Sequence, residues 1–306
     1  MKTQKEIDKE YCQKLMENIE GTSKKRIISM VKTYVKELHK TFDKIVVLDV
    51  GCADGWLSWH LVKELPEYVK VFGVEPNTDR YSRACCLSGD SGDRLRFINS
   101  KFDPVFVENF LVNHGPADIV IFSSVMHEIA SDGDNGHDTR YTAAPILNAL
   151  SLANEVLSHD GYVIVRDFIR QPLSESRYVT AKFADSTILH DLRCFLRTRN
   201  APMLGSCSNL KLPVIIREDT LMEFLMCETW GPDNWDREIR EKKLIMEPAQ
   251  WTSAFMSSGF DLVDSYSSKE DYPIYFSKLV TIEAPLKWEW PEFTFVKSGR
   301  KICICR

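Results

Sequence analysis

Three short stretches of this 306-residue chain carry side chains whose type and spacing suit chemistry. The first is Asp49-Val50-Gly51-Cys52-Ala53-Asp54-Gly55, an acid followed by a turn with glycine at both ends. Gly51 and Gly55 allow backbone angles, and a close approach of another group to the backbone, that a side chain forbids. The second is Glu75, just past the apolar run Val69–Val74. A carboxylate at a strand end can bond a ribose through both hydroxyls. The third is His127-Glu128, where His127 lies five places beyond the last apolar residue of the run Ala117–Phe122. An imidazole titrates near neutrality and can take a proton from a hydroxyl, with the neighbouring acid to orient it. The alternative reading of His127 is a strut that holds a loop.

Each stretch needs a strand to aim it. Ile45–Leu48 is short, apolar and β-branched, the pattern of a strand buried on both faces, and Asp49 closes it. Trp56, Leu57, Leu61, Val62 and Leu65 recur at helical spacing after the glycine turn, and Pro66 stops that helix. Val69–Val74 is the second strand. Strand, glycine turn, helix and strand form the opening of an open α/β sheet, where ligands bind outside the carboxyl ends of the strands. Further along, the pattern predicts a helix over Thr78–Leu87, a third strand over Arg94–Asn99 and a fourth over Ala117–Phe122. A helix over Ala144–Leu157, the turn Ser158–Gly161 and a fifth strand over Tyr162–Val165 follow. Upstream, Ile27, Ile28, Val31, Tyr34, Val35 and Leu38 form the stripe of an amphipathic helix over Lys24–Lys40, with Thr22 or Ser23 as its cap. Near the end, Glu247-Pro248 opens a helix, Phe260–Tyr266 is a sixth strand, and Val296–Cys305 is a last, antiparallel strand.

Val47-Leu48-Asp49-Val50-Gly51-Cys52-Ala53-Asp54-Gly55 resembles motif I of the class I S-adenosylmethionine (SAM) dependent methyltransferases. Val74-Glu75-Pro76-Asn77 resembles their ribose-binding acidic motif. The resemblance covers Lys44–Val165 well and Glu247–Arg306 loosely. It implies an α/β fold: a Rossmann-like methyltransferase sheet, mostly parallel with the last strand antiparallel. It also implies SAM as cofactor, S-adenosyl-L-homocysteine as product, and in-line transfer to an oxygen or nitrogen nucleophile with no metal. On this resemblance Asp49, Gly51, Cys52, Ala53 and Gly55 lie against the methionine part of the cofactor, and Asp49 suits its ammonium. Glu75 takes the ribose. Lys101 and Phe102, with Ser100, fall where the adenine ring is contacted, Phe102 either stacking on the ring or packing in the core. Ser123, at the end of the fourth strand, faces the transferable methyl. His127-Glu128 resembles the strand-end His–acid pair of small-molecule O-methyltransferases, in which the histidine is the general base. Arg166-Asp167 either pair with each other or contact the acceptor. Two positions depart from the common pattern: Ala53 stands for a glycine, and Lys101 stands near the place of an acid. A dinucleotide turn would need a Gly-x-Gly-x-x-Gly pattern, and only Gly51 and Gly55 are present.

The resulting division is a helical N-terminal cover over 1–43, a SAM-binding core over 44–167, a lid insertion over 168–247 and a completion of the sheet over 248–306. Within the lid, Ser176–Arg199 and Thr220–Glu228 read as helices and Asn200–Leu212 as a loop before the aromatic Trp230–Trp235. The alternating charges of Asp236–Lys243 read as a solvated helix face. Ser131–Asp138 is a polar loop beside the site without the spacing of a calcium loop. A lid implies an enclosed pocket, so a small-molecule acceptor is the first reading. RNA is the alternative, because residues 1–44 hold 11 Lys/Arg against 7 Asp/Glu and residues 166–217 hold 9 against 4. Ser123-Ser124-Val125-Met126 replaces the Asn/Asp-Pro-Pro-aromatic signature of base amino methylation. A non-catalytic regulator or subunit on the same fold is the third reading. The nine cysteines lack zinc or redox spacing, which points to reduced thiols and a cytoplasmic protein. The charged N-terminal segment is no secretory signal, and no apolar run approaches membrane-spanning length.

Overall fold

The computed structural model describes residues 22–90, 92–131, 142–170, 177–183, 186–199, 214–228, 234–268, 280–282 and 290–297. The chain opens with α1 (Thr22–Leu38), β1 (Ile45–Val50), α2 (Trp56–Glu64), β2 (Val69–Val74), α3 (Thr78–Leu87) and β3 (Leu95–Ile98). It continues through α4 (Pro104–His114), β4 (Ala117–Ser123), α5 (Met126–Ser131), α6 (Ala144–Val156) and β5 (Leu157–Arg166). The segment that follows holds β6 (Tyr178–Phe183), α7 (Ser186–Thr198), β7 (Val214–Arg217), α8 (Glu218–Glu228) and α9 (Trp235–Glu238). Last come α10 (Pro248–Ser257), β8 (Phe260–Ser268), β9 (Val280–Ile282) and β10 (Trp290–Lys297).

Among the described residues, a seven-stranded sheet has the order β3-β2-β1-β4-β5-β10-β8. The first five strands are parallel, and β10 lies antiparallel between β5 and β8. This is the Rossmann-like methyltransferase sheet that motif I implies. Because side chains alternate along a strand, each strand feeds two cores. Leu48, Val120 and Val163 face Phe110 of α4, Leu150 of α6 and Phe255 of α10. Val47, Ile121 and Ile164 face Ile27 and Val31 of α1 and Leu61 of α2. The switch in strand order at β1/β4 leaves a crevice at the carboxyl ends, the usual ligand position in such sheets.

A smaller sheet, β7-β6-β9, has its own core, in which Val179, Ala181 and Phe183 pack against Leu192 and Phe195 of α7 and Phe224 of α8. This corrects the helix expected from Ser176. Val179, Ala181 and Phe183 are buried at a period of two, so the segment is a strand, and the helix begins only at Ser186. Asp49 lies inside β1 rather than closing it, in register with Gly73 and Ile121. The expected last strand starts earlier than Val296: pairing begins at Trp290 with β8 and at Glu292 with β5, and the strand is described to Lys297. The solvated face expected over 236–243 is not found, because Glu238 and Lys243 are 2 % and 3 % exposed. They pair with each other at 2.6 Å, which makes the burial of both charges tolerable. The polar loop after Ser131, the loop over 200–212 and most of Trp230–Trp235 lie outside the described residues, as does the chain before Thr22.

Candidate active site

The glycine turn is built by constraint. Gly51 has φ +69 and Gly55 φ +80, and a Cβ on Gly51 would come within 2.4 Å of Val125 Cγ2. A Cβ on Gly55 would come within 2.5 Å of Phe97. Ala53 takes φ 50 without being glycine, a sparsely populated conformation of the kind that collects at ligand sites. The backbone N–H groups of Gly51 and Cys52 donate to Val74 O at 2.8 and 3.1 Å, which ties the turn to the end of β2. Arg83 on α3 donates to both carboxylate oxygens of Asp54 and fixes the far side of the turn.

Glu75 is buried, and both its oxygens are aimed. Oε2 accepts from Ala53 N at 2.9 Å and Oε1 from Asn77 N at 2.9 Å. Each oxygen keeps lone-pair capacity for a hydroxyl. Asn99 Nδ2 donates to the Glu75 and Pro76 carbonyls and steadies this strand end. Asp49, 1 % exposed, accepts from Ser58 Oγ at 2.6 Å. Burial pushes its carboxyl up to about 6, against the pull of Ser58 and of Lys24. A buried carboxylate of this kind gains from a cationic ligand group beside it.

Phe102 is half-buried with its ring 5.7 Å from Phe106 and 5.6 Å from Phe122, so it sits at the edge of the aromatic core, while Lys101 is exposed. Ser123 ends β4 with its Oγ buried and no hydrogen-bond partner among the described residues. Ser124, with φ 58, donates its N–H to Arg166 O at 2.7 Å, and its Oγ accepts from the Arg166 guanidinium.

His127, in the first turn of α5, is gripped by Asp167 at the end of β5. The His127 backbone N–H donates to Asp167 Oδ2 at 3.1 Å, and Nδ1 donates to Oδ1 at 2.7 Å. The proton is thereby placed on Nδ1, which leaves Nε2 as the basic nitrogen. Burial works to lower the imidazole pKa, but the charge and hydrogen bond of Asp167, with Glu241 added, raise it above its ordinary value. The partner orienting the ring is therefore Asp167, not the adjacent Glu128. Glu128 stands with Glu241 and His127 in a group whose ligand atoms lie within 4.8 Å of one another. Burial and the Glu241 charge hold the Glu128 carboxyl above its ordinary range. Burial also works to raise Glu241, yet Lys243, His127 and Arg237 hold it below that range. Glu241 Oε2 is 3.9 Å from His127 Nε2 and 3.1 Å from Lys243 Nζ, so Lys243 is the cation bonded to Glu241, while the charges of His127, Arg80 and Arg237 act on Glu128. The sequence sets Asp167 in a pair with Arg166 or at the acceptor, and its bond to His127 is not among those readings. Its only signal was its place two residues beyond Val165, a strand-end acid like Glu75.

The sequence profile of the family described as Methyltransferase domain matches residues 17–200, more than half of the chain. The chain belongs to that family. The cradle of this methyltransferase fits S-adenosyl-L-methionine: two glycines open the backbone, both Glu75 oxygens keep room for hydroxyls, and the buried Asp49 carboxyl gains from a cationic group beside it. Bound there, the cofactor supplies an activated methyl group on a sulfonium and leaves as S-adenosyl-L-homocysteine. The methyltransferase is similar in structure to Burkholderia thailandensis 1,6-didemethyltoxoflavin-N1-methyltransferase with bound S-adenosylhomocysteine, at 11% identity over 94% of this chain and 84% of that one, with a TM-score of 0.47. It is also similar to magnesium protoporphyrin IX methyltransferase from Synechocystis, at 12% identity over 89% of this chain and 82% of that one, with a TM-score of 0.46. No curated protein matches the chain. Among the described residues, no helix is long and apolar enough to cross a membrane.

Proposed function

We propose that the methyltransferase alkylates an oxygen or nitrogen nucleophile of a small molecule, with His127 as general base and Asp167 as the residue that positions it. The observation that carries this reading is the 2.7 Å bond from His127 Nδ1 to Asp167 at the end of β4 and β5. It fixes the tautomer whose Nε2 can accept the acceptor's proton, and the carboxylate stabilises the imidazolium that results. Glu128 and Glu241 flank the ring and add to that stabilisation. The rest of the task is positioning and exclusion of water, which the donor's inherent reactivity makes sufficient. Lys101 and Phe102 are assigned to the adenine side and Ser123 to the side of the methyl group. The division at residues 43, 167 and 247 belongs to the same reading, with the segment 168–247 walling the acceptor.

The basic segment after β5 supports a small acceptor over RNA. Arg177 pairs with Glu218, Arg199 with Glu223, Arg217 with Asp219 and Arg170 with Glu247, so much of its positive charge is answered within the protein. Formation of S-adenosylhomocysteine from S-adenosylmethionine is the test, with phenols, carboxylic acids, amines and total cellular RNA offered separately. Turnover is expected with a member of the small-molecule set. Turnover with RNA alone would overturn the acceptor class.

A further inference from the structure

Lys24 belongs to the inward face of α1. It precedes Ile27, Ile28 and Val31 by three, four and seven residues, the spacing of one helix face, and those three are core residues. A lysine at the head of an apolar stripe has been brought inward, and its destination follows from register. Tyr34 of α1 stacks on Tyr162 of β5 with ring centroids 4.2 Å apart. From Tyr34 back to Lys24 is ten residues of helix, about 15 Å. From Tyr162 forward to Arg166 is four residues of strand, about 13 Å. The first turn of α1 therefore lies over the carboxyl end of β5. The charges acting on Lys24 agree: Arg166 and Asp49 are its charged neighbours.

The ammonium is poorly provided for there. Lys24 makes no hydrogen bond or ion pair with another described residue. Burial first, then the like charge of Arg166, pull it down to about 8, with Asp49 opposing. Two cations and one buried carboxylate thus converge beside the glycine turn. A zwitterion complements that set: an ammonium for Asp49 and a carboxylate for the two cations.

We propose that Lys24 and Arg166 together receive the α-carboxylate of the methyl donor while Asp49 receives its ammonium, so that the first turn of α1 is part of the cofactor site. The proposal rests on the donor being S-adenosylmethionine. Charge-assisted hydrogen bonds from both cations replace the mutual repulsion of Lys24 and Arg166 with attraction to a shared anion. The ribose is thereby held by Glu75, and the amino-acid half by the glycine turn, α1 and β5.

Calorimetry compares S-adenosylmethionine with decarboxylated S-adenosylmethionine, which keeps the sulfonium, the amine and the adenosine. The whole protein should bind the carboxylated donor more tightly by about tenfold or more. Lys24→Met keeps an apolar stem in the stripe, and thermal melting confirms that it folds. It should shrink that ratio about fivefold or more by weakening only the carboxylated donor, and Lys24→Arg should restore most of it. A Lys24→Met protein that discriminates as well as the wild type overturns the proposal. A wild-type protein that binds neither compound overturns the assignment of the donor itself, a different failure from the first.

Discussion

The cofactor cradle and the segment that follows β5 both bury charge, but they answer it in opposite ways. In the cradle, the two acids that face the ligand position are bonded by neutral donors, Glu75 by two backbone N–H groups and Asp49 by a serine hydroxyl, while Arg83 holds Asp54 on the far side of the turn. In the segment, acids are held by cations of the same region: Glu238 and Glu241 by Lys243, and Glu223 by Arg199. Among its described residues, the segment answers these buried acids with its own cations. In the cradle Lys24 acts on Asp49 by its charge but forms no ion pair with it, which leaves the buried carboxyl room for a cationic ligand group. Buried charge alone therefore does not mark function; buried charge without a counter-ion does.

Removing charge should then have opposite consequences in the two regions. The largest effect is expected for Lys243→Met, which takes from Glu238 and Glu241 the buried cation they share and leaves them the more exposed Arg237. Urea unfolding should show a loss of about 3–5 kcal/mol. A variant as stable as the wild type would erase the contrast.

Next is the site between the two regions. His127→Ala should lower turnover about a hundredfold or more with donor affinity nearly unchanged. Because Asp167 and Glu241 raise the imidazole pKa, the base form appears only above it. Turnover should therefore rise with pH through a midpoint above about 6.5, the ordinary histidine value. Asp167→Asn removes the group that raises it, so the midpoint should fall as turnover drops. An unmoved midpoint would separate the titration from His127.

The smallest effect is a gain. The Asp49 carboxyl is raised to about 6 in the folded protein from a reference of 3.8. The folded state therefore holds an extra proton between those values, and stability falls as pH rises towards the upper one. Asp49→Asn removes that loss, about 3 kcal/mol for such a shift, but weakens the charge-assisted bond from Ser58, so the ligand-free protein should be more stable at neutral pH by about 1 kcal/mol. The gain should fade below pH 6, where Asp49 is protonated. Donor binding should weaken at the same time. A destabilised Asp49→Asn protein would place the cradle in the same class as the segment after β5.

What could be read from the sequence was local. The turn, its strands and Glu75 lie within Lys44–Arg80, so spacing alone aligns them. β1, β2, β4 and α3 carry apolar runs or clear boundaries and fall close to where their patterns put them, whereas β5 begins at Leu157 and runs through the stretch expected as the turn Ser158–Gly161. The failures come from distance. Asp167 reaches His127 across 40 positions, and Lys243 lies 16 positions from Cys227, which it influences in the same core. No periodicity reports such a meeting. Glu238 and Lys243 look like surface because charge ordinarily is surface, and the pairing that buries them is tertiary. In β6, six residues with two polar positions fit a strand or a helix equally until the partner strands are known.

The placement of β10 bears on the order in which the protein can be made. Until residues 290–297 have emerged from the ribosome, β5 shows one unpaired edge and β8 has no described partner. The nucleotide-binding half can close early, from strands that neighbour one another along the chain. The far side of the sheet must wait for a strand that returns across more than 120 positions from β5. Such long closures are slow, and an open strand edge is a template for another chain. During synthesis there is thus an interval when the edges of β5 and β8 are open to pairing with other chains.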